Sequence, residues 1–270
     1  MLINDGSKDN SLIICENYLK KGLKAEIITK ENEGLISVRN LSIQLARGEY
    51  ILFLDGDDFI EENTIEIIMN EITENDLLVF GFYWINNNFY TKDKRFIENK
   101  VYCSKEEIKD LVYMDKINTS VWNKIFRVSI LRENNIKFLN FYKCEDIMFD
   151  IEYLKKCHRV KIIKNVLYNY IFRDDSLSNV KDIYYYINYL NLYSVLLSQE
   201  NEKNQIFWKY FLTNYIYLIR DIEKNEYLRK NEEILNKRKN IEKKIKILKV
   251  IFNNEIKLRT KIRYLKIILK

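Results

Sequence analysis

The chain of 270 residues contains no proline, six glycines, four cysteines and one histidine. With proline absent and glycine scarce, its turns must rely on Asn, Asp and those few glycines. A single imidazole, His158, excludes any site that needs two or more histidines. A Ser-His-Asp arrangement on His158 would lack the Gly-x-Ser-x-Gly turn that presents such a nucleophile. His158 therefore reads as a surface residue where a helix ends. Cys15, Cys103, Cys144 and Cys157 are scattered and form no Cys-x-x-Cys pair. They read as small buried hydrophobes in a reducing compartment, neither a zinc site nor a disulfide framework. No apolar run approaches the roughly 20 residues of a membrane span. Met1 to Gly6 resemble neither a signal nor a transit peptide, which points to the cytoplasm. Whatever chemistry occurs must rest on carboxylates, a metal, or both.

What is present is a soluble, globular composition, 47% hydrophobic and 31% charged. The length suits one large domain, or one domain and a smaller one. The formal net charge is +6, but residues 224–270 hold 16 Lys and Arg against 5 Asp and Glu. The body before them is thus mildly acidic, and the last segment is basic enough to face something anionic.

The strongest local signal is Tyr50-Ile51-Leu52-Phe53-Leu54-Asp55-Gly56-Asp57-Asp58. The apolar run Tyr50 to Leu54 reads as a central strand covered on both faces. Asp55, Asp57 and Asp58 follow at its carboxyl end, with Gly56 for a tight turn. Carboxylates this close repel one another, and a divalent cation is the natural compensation. An EF-hand loop is excluded, since Phe59 and Ile60 stand where a fifth ligand and a glycine belong. A hard cation such as Mg²⁺ or Mn²⁺, held by one or two carboxylates and phosphate oxygens, fits better.

Around this turn the pattern alternates. Strands are expected at 2–3, 25–29, 50–54 and 77–84, with helices at 11–20, 35–46 and 61–73 between them, the mark of an α/β domain. Further on come a strand near 100–103, and a helix at 104–114 opened by Ser104 with Glu107 as a capping box. Helices at 128–134 and 145–157 and strands at 160–164 and 167–172 follow. Beyond 180 the chain reads as helix only, and a boundary is expected within 176–182. Glu145-Asp146 opens a helix, where paired acids also suit the positive end of the helix dipole. Arg39, on the helix after Gly34, reads by itself as a solvated arginine or as one placed to neutralise a diphosphate.

Taken together, Asn4-Asp5-Gly6-Ser7-x-Asp9, Asn32-x-Gly34-x-x-x-x-Arg39-Asn40, Gly48-Glu49-Tyr50 leading into Leu54-Asp55-Gly56-Asp57-Asp58, Trp122-Asn123-Lys124 and Glu145-Asp146 resemble the family 2 glycosyltransferases of the GT-A fold. The resemblance spans about residues 1–180, with Ser42 where the family usually has glycine. It implies a Rossmann-like α/β domain with a mixed, mostly parallel sheet over 1–178, and a helical, basic region over 179–270. Family members begin some thirty residues earlier, with a strand, a nucleotide-binding turn and a helix. The resemblance thus implies a domain lacking its first strand and helix, with neighbouring strands unpaired and an apolar face uncovered. Poor folding and little sugar transfer are expected of such a chain.

The resemblance also implies roles. Asp5 would read the nucleotide base, Arg39 would contact base or diphosphate, and Asp55 would lie near the ribose. Asp57, with Asp58, would bind the metal. Asp146 of the Glu145-Asp146 pair would be the general base, and Trp122 and Lys124 would line the acceptor side. The implied reaction is inverting transfer from a UDP-sugar to a glycan or lipid-linked glycan in bacterial surface polysaccharide synthesis. The competing reading is a non-catalytic remnant, or a membrane-surface interaction protein without nucleotide-sugar turnover.

In the basic tail, Ile241, Ile245, Leu248 and Phe252, then Leu258, Ile262, Leu265 and Leu269, follow helical spacing with Lys and Arg between. Such a pair of amphipathic helices, broken at Asn253-Asn254, fits either an anionic membrane surface or packing on the preceding domain. No nucleic-acid recognition module is present.

Overall fold

A computed structural model describes residues 1–87, 89–173, 180–200, 204–245 and 260–262. The chain opens with β1 (Leu2–Asp5), α1 (Ser11–Lys20), β2 (Ile27–Lys30), α2 (Leu35–Leu45), β3 (Tyr50–Leu52), β4 (Phe59–Ile60), α3 (Thr64–Glu71) and β5 (Leu77–Asn86). It continues through β6 (Phe89–Lys92), β7 (Lys100–Tyr102), α4 (Lys105–Lys109), β8 (Lys124–Arg127), α5 (Val128–Glu133), α6 (Glu145–Leu154) and β9 (Val160–Ile171). The helices α7 (Ile183–Gln199), α8 (Gln205–Lys224), α9 (Glu226–Lys230) and α10 (Glu232–Lys244) follow. The alternation expected of an α/β domain is present, followed, among the described residues, by helix alone. The expected boundary residues 176–179 lie outside the described residues.

Leu77 to Phe82 of β5 are buried without a break, as a doubly covered strand requires. β5 pairs in parallel with β9 and antiparallel with β8, and β8 pairs antiparallel with β3. The sheet order is β3-β8-β5-β9-β4, with β6 on β5 and β7 on β9. β3, β5 and β9 therefore run in one direction, while the short strands β4, β6, β7 and β8 run against them. The two strands expected at 160–164 and 167–172 are one. Its pairing with β5 is irregular around Gly81, which keeps both halves in the same ladder. α4 is shorter than expected: it ends at Lys109, and turns lead to Asp115 at φ +53°.

β3 differs from the central strand expected over Tyr50 to Leu54. Only Tyr50 to Leu52 join the ladder, all three half-buried, and β3 ends the strand order. Phe53 leaves the ladder for the core, where its ring meets Phe138 edge-on at 5.5 Å, and Leu54 is exposed as the chain turns. β1 and β2 form a separate parallel pair. Among the described residues, β1 and β3 each keep one edge without a strand partner. A cleft of about 910 Å³ lies between those edges, lined on one side by β1 and α1 and on the other by α2 and β3. α1 has no buried residue, and its Ile13, Ile14 and Tyr18 are more than half exposed.

Asn and Asp take over the work of the missing proline and glycine. Asp182, Asn204, Asn225 and Asn231 cap α7, α8, α9 and α10, each accepting a backbone N–H from the first turn. Asn87, Asp115 and Asn135 hold positive φ. The helices extend the core of the sheet domain: Tyr113 donates to Glu200 at 2.8 Å and its ring meets Phe207 at 5.3 Å. α10 packs on α7. From the amphipathic stripe, Ile241 and Ile245 are buried, and Ile262 is exposed. Leu248, Phe252, Leu258, Leu265, Leu269 and Asn253-Asn254 lie outside the described residues. Cys144 and Cys157 are buried as expected, whereas Cys103 is exposed and Cys15 half-buried. His158 lies just past α6 with its ring largely exposed.

The glycines at the two acidic turns are not equivalent. Gly6 has φ +67°, and a Cβ there would meet the Asn32 backbone N at 3.0 Å. Gly56 does not have a positive φ, and a Cβ there would meet nothing within 4 Å. The tight turn expected at Gly56 therefore needs no glycine. Gly6→Ala is expected to lower stability by about 1–3 kcal/mol and Gly56→Ala by less than about 0.5 kcal/mol, read as shifts in urea midpoint.

Candidate active site

Arg39 is the point where the separate motifs meet. It projects from the middle of α2 and is only 5% exposed. Its Nη1 donates to Asp146 Oδ1 at 2.5 Å and lies 3.8 Å from Glu145 Oε1. Its Nη2 donates to Asp55 Oδ1 at 3.4 Å. The guanidinium also lies over the Phe138 ring, 5.3 Å from its centroid. Asn40, the next residue, exchanges two hydrogen bonds with the Phe138 backbone, at 2.9 and 2.8 Å. The Arg39-Asn40 pair thus fixes its own ring platform. One cation serves three carboxylates from two distant segments.

This crowding sets the protonation of Asp146. Burial pushes its carboxyl up to about 6, with Arg39 opposing the rise and Glu145 and Asp55 adding to it. Arg39 itself is held above its ordinary value: burial works against its charge, but the three acids outweigh burial. Glu145 and Asp146 occupy the first turn of α6, where the helix dipole favours negative charge. Asp146 Oδ2 also accepts the Val121 backbone N–H at 3.4 Å.

In the acidic turn the three aspartates have different surroundings. Asp58 is locked: its Oδ2 accepts the Tyr168 hydroxyl at 2.7 Å and its Oδ1 accepts the Ile171 N–H at 2.8 Å. Burial raises it to about 6 despite those bonds, and Asp57 and Asp55 add to the rise. Asp57 is the open one, 44% exposed, with Arg173 Nη2 at 3.7 Å. Among the described residues, no three His, Cys, Asp or Glu side chains gather to hold a cation. The hard oxygens of Asp57 suit a Mg²⁺ or Mn²⁺ ion shared with substrate phosphates; a cage made by protein alone does not form here. Asp58, expected as a second ligand, has both oxygens engaged.

Asp5 ends β1 and ties the cleft's far wall together. Its carboxylate accepts Lys30 Nζ at 2.9 Å and the Glu33 and Gly34 N–H groups at 3.1 and 2.8 Å. Burial alone would raise Asp5, but Lys30 and these N–H groups hold it below its usual value. Asp5, Arg39 and Asp55 all line the 910 Å³ cleft, whose remaining wall is largely apolar.

Trp122 and Lys124 do not face open solvent as the acceptor-side assignment required. Trp122 is 4% exposed and stacks on Tyr168, ring centroids 4.5 Å apart. Through Tyr168 it backs Asp58. Lys124 is fully buried and lies 3.1 Å from Asp150 Oδ2. It also donates to the carbonyls of Asn118, at 2.8 Å, and Ser120, which anchors the loop that presents the Val121 N–H to Asp146. Burial drives the Lys124 ammonium down and the Asp150 carboxyl up to about 7, each opposed by the other's charge. Asp150 was missed in the sequence, although its place four residues after Asp146 puts both on one face of α6. No spacing signal marks Tyr168.

Residues 1–134 match the family described as Glycosyl transferase family 2. A cholesterol galactosyltransferase of Borreliella burgdorferi is 29% identical over 81% of this chain and 65% of its own length. The poly(ribitol-phosphate) beta-N-acetylglucosaminyltransferase TarP of Staphylococcus aureus is 32% identical over 66% of this chain and 54% of its own. Among solved structures, S. aureus TarS 1-349 in complex with UDP-GlcNAc superimposes with a TM-score of 0.73 at 21% identity, covering 92% of this chain and 73% of that one. The fold and the site define a GT-A-type domain. Residues 1–134 belong to glycosyl transferase family 2, and the chain spans between about half and two thirds of the length of these curated relatives.

Lys124→Met is expected to cost about 3–5 kcal/mol in a denaturant melt, because it strands the Asp150 charge. The double change Lys124→Met with Asp150→Leu should recover most of that loss. Equal melts for the single and double variants would contradict a buried ion pair.

Proposed function

We propose that the protein transfers a sugar from a UDP-sugar to a hydroxyl of a glycan or lipid-linked glycan in bacterial surface polysaccharide synthesis, with inversion at the anomeric carbon. The observation that carries this proposal is Arg39, which joins Asp55 on the donor side to Asp146. The UDP-GlcNAc bound by TarS, and the glycosyl transfer named for both relatives, support it.

The apolar body of the cleft and its polar end suit a nucleotide, with Asp5 toward the base and Asp55 toward the ribose. Arg39 lies within reach of the diphosphate end. When bound, a Mg²⁺ or Mn²⁺ ion at Asp57 supplies charge neutralisation for the leaving diphosphate. Asp146 accepts the proton of the acceptor hydroxyl as its oxygen forms the new bond to the sugar C1. The bond from C1 to the phosphate oxygen breaks on the opposite face, and UDP departs with the electron pair. Glu145, beside Asp146, keeps the site acidic where positive charge develops on the sugar ring.

Asp146→Asn is expected to lower transfer by about 10²–10⁴-fold with UDP binding retained. Unaltered rates in both Asp146→Asn and Asp57→Ala would remove the enzymatic assignment. The base must be ionised to work, so kcat/KM is expected to rise with pH through about 6 and level off above it. A profile flat from pH 5 to 8 would take the base role from Asp146.

No helix among the described residues is long and apolar enough to cross a membrane. The basic charge of residues 224–270 supports peripheral attachment to an anionic inner membrane face. Vesicle flotation is expected to recover the protein with anionic lipid at low salt and to fail as salt rises. Equal recovery on neutral vesicles would exclude attachment by charge.

A further inference from the structure

α7 and α8 enclose a second groove, of about 380 Å³, that the transfer chemistry does not use. One wall is a ladder of tyrosines on α7. Tyr185 and Tyr189 have ring centroids 4.6 Å apart, and Tyr189 and Tyr193 are 6.2 Å apart. The spacing of four residues puts them on one face of the helix. The other wall comes from α8, where Tyr217 is 62% exposed. Exposed Tyr217 and half-buried Tyr185 and Tyr189, with Tyr193 buried behind, suit sugar rings, which offer C–H faces to an aromatic surface and hydroxyls to its polar edge.

The groove is also cationic. Lys181, Arg220 and Lys224 line it, with one acid, Asp221. Asp221 is already engaged: it binds Lys181 at 3.0 Å and accepts the Tyr186 hydroxyl at 3.0 Å. Arg220 and Lys224 are exposed, and neither has an ion-pair partner among the described residues. Arg220 and Lys224, four residues apart at a tyrosine wall with Asp221 the one acid beside them, leave net positive charge suited to anionic groups repeated along a chain.

The start of the groove is tied to the segment that opens α6. Lys143 donates to the Val180 carbonyl, one residue before Lys181. Lys143 directly precedes Cys144, the N-cap of α6, which Glu145 and Asp146 follow. An acceptor lying along the groove would therefore present its end toward Asp146.

We propose that the groove between α7 and α8 is an acceptor subsite for a glycan or polyol chain carrying phosphate or carboxylate groups. This rests on the transferase assignment for the direction of the chain, but not for binding itself. The concave shape and the row of phenol edges favour a single polymer chain over a lipid surface, which would need a convex apolar face.

The test is direct titration of the protein with a synthetic ribitol-phosphate octamer, an oligogalacturonate of equal length, neutral maltooctaose and vesicles containing phosphatidylglycerol. The phosphate or carboxylate chain is expected to bind and maltooctaose is not, and which anion binds more tightly identifies the acceptor charge. Arg220→Gln with Lys224→Gln should weaken that binding about tenfold, and Tyr217→Ala should weaken it as well. Arg229→Gln with Lys230→Gln, on α9 outside the groove, should leave it unchanged. UDP titration of each variant is run in parallel. Loss of the octamer with UDP binding kept supports the subsite. Unchanged octamer binding, equal loss in the α9 variant, loss of UDP together with the octamer, or binding to vesicles alone each overturns it. Should the unmodified protein bind the octamer through these residues and fail to bind UDP, the donor assignment falls and the groove stands.

Discussion

The buried guanidinium of Arg39 is the contact on which the site depends. Asp55 follows β3, and Glu145 and Asp146 open α6, so these acids are about ninety residues apart in sequence. Without a cation between them, acids this deeply placed would repel and take up protons. Arg39 compensates them, and Asn40 with Phe138 holds the helix that carries it. A lysine could not do the same, because a single ammonium lacks the planar fork that reaches two carboxylates in different directions.

A second buried charge supports the first from behind. Lys124 and Asp150 are 0% and 1% exposed, an expensive pair to remove from water. What the pair secures is geometry: the loop from Asn118 to Val121 is held by Lys124, and that loop donates to Asp146. Trp122, between them in sequence, does the corresponding work for the acidic turn through its stack on Tyr168. The Trp122-Asn123-Lys124 motif therefore serves both ends of the site while touching neither with its own charge.

Much of this was legible in the sequence because it follows from local chemistry. The apolar run at Leu77 to Phe82, the acidic exit after β3 and the Ser104 cap of α4 all depend on residues a few positions apart. The Glu145-Asp146 pair at a helix start was legible for the same reason. What was not legible depends on contacts across the fold. Trp122 and Lys124 look like surface chemistry in a motif, yet burial is decided by β5, β9 and α6, which pack around them. Asp57 and Asp58 are identical in sequence terms, and only Tyr168 and Ile171, over a hundred residues later, separate the locked carboxylate from the open one. Tyr50 to Leu54 reads as a central strand by composition alone, but its place at the end of the strand order depends on which strands lie beside it.

The edges of β1 and β3 that have no strand partner among the described residues have a consequence for handling the protein. A strand edge with free N–H and C=O groups is a template for any extended chain, and two such edges flank one apolar cleft. At high concentration the cleft offers neighbouring molecules a place to insert a strand, so self-association should begin there and at the exposed apolar side chains of α1. Dilute, cold storage, and a ligand that fills the cleft, would then matter more to this protein's shelf life than the strength of its core.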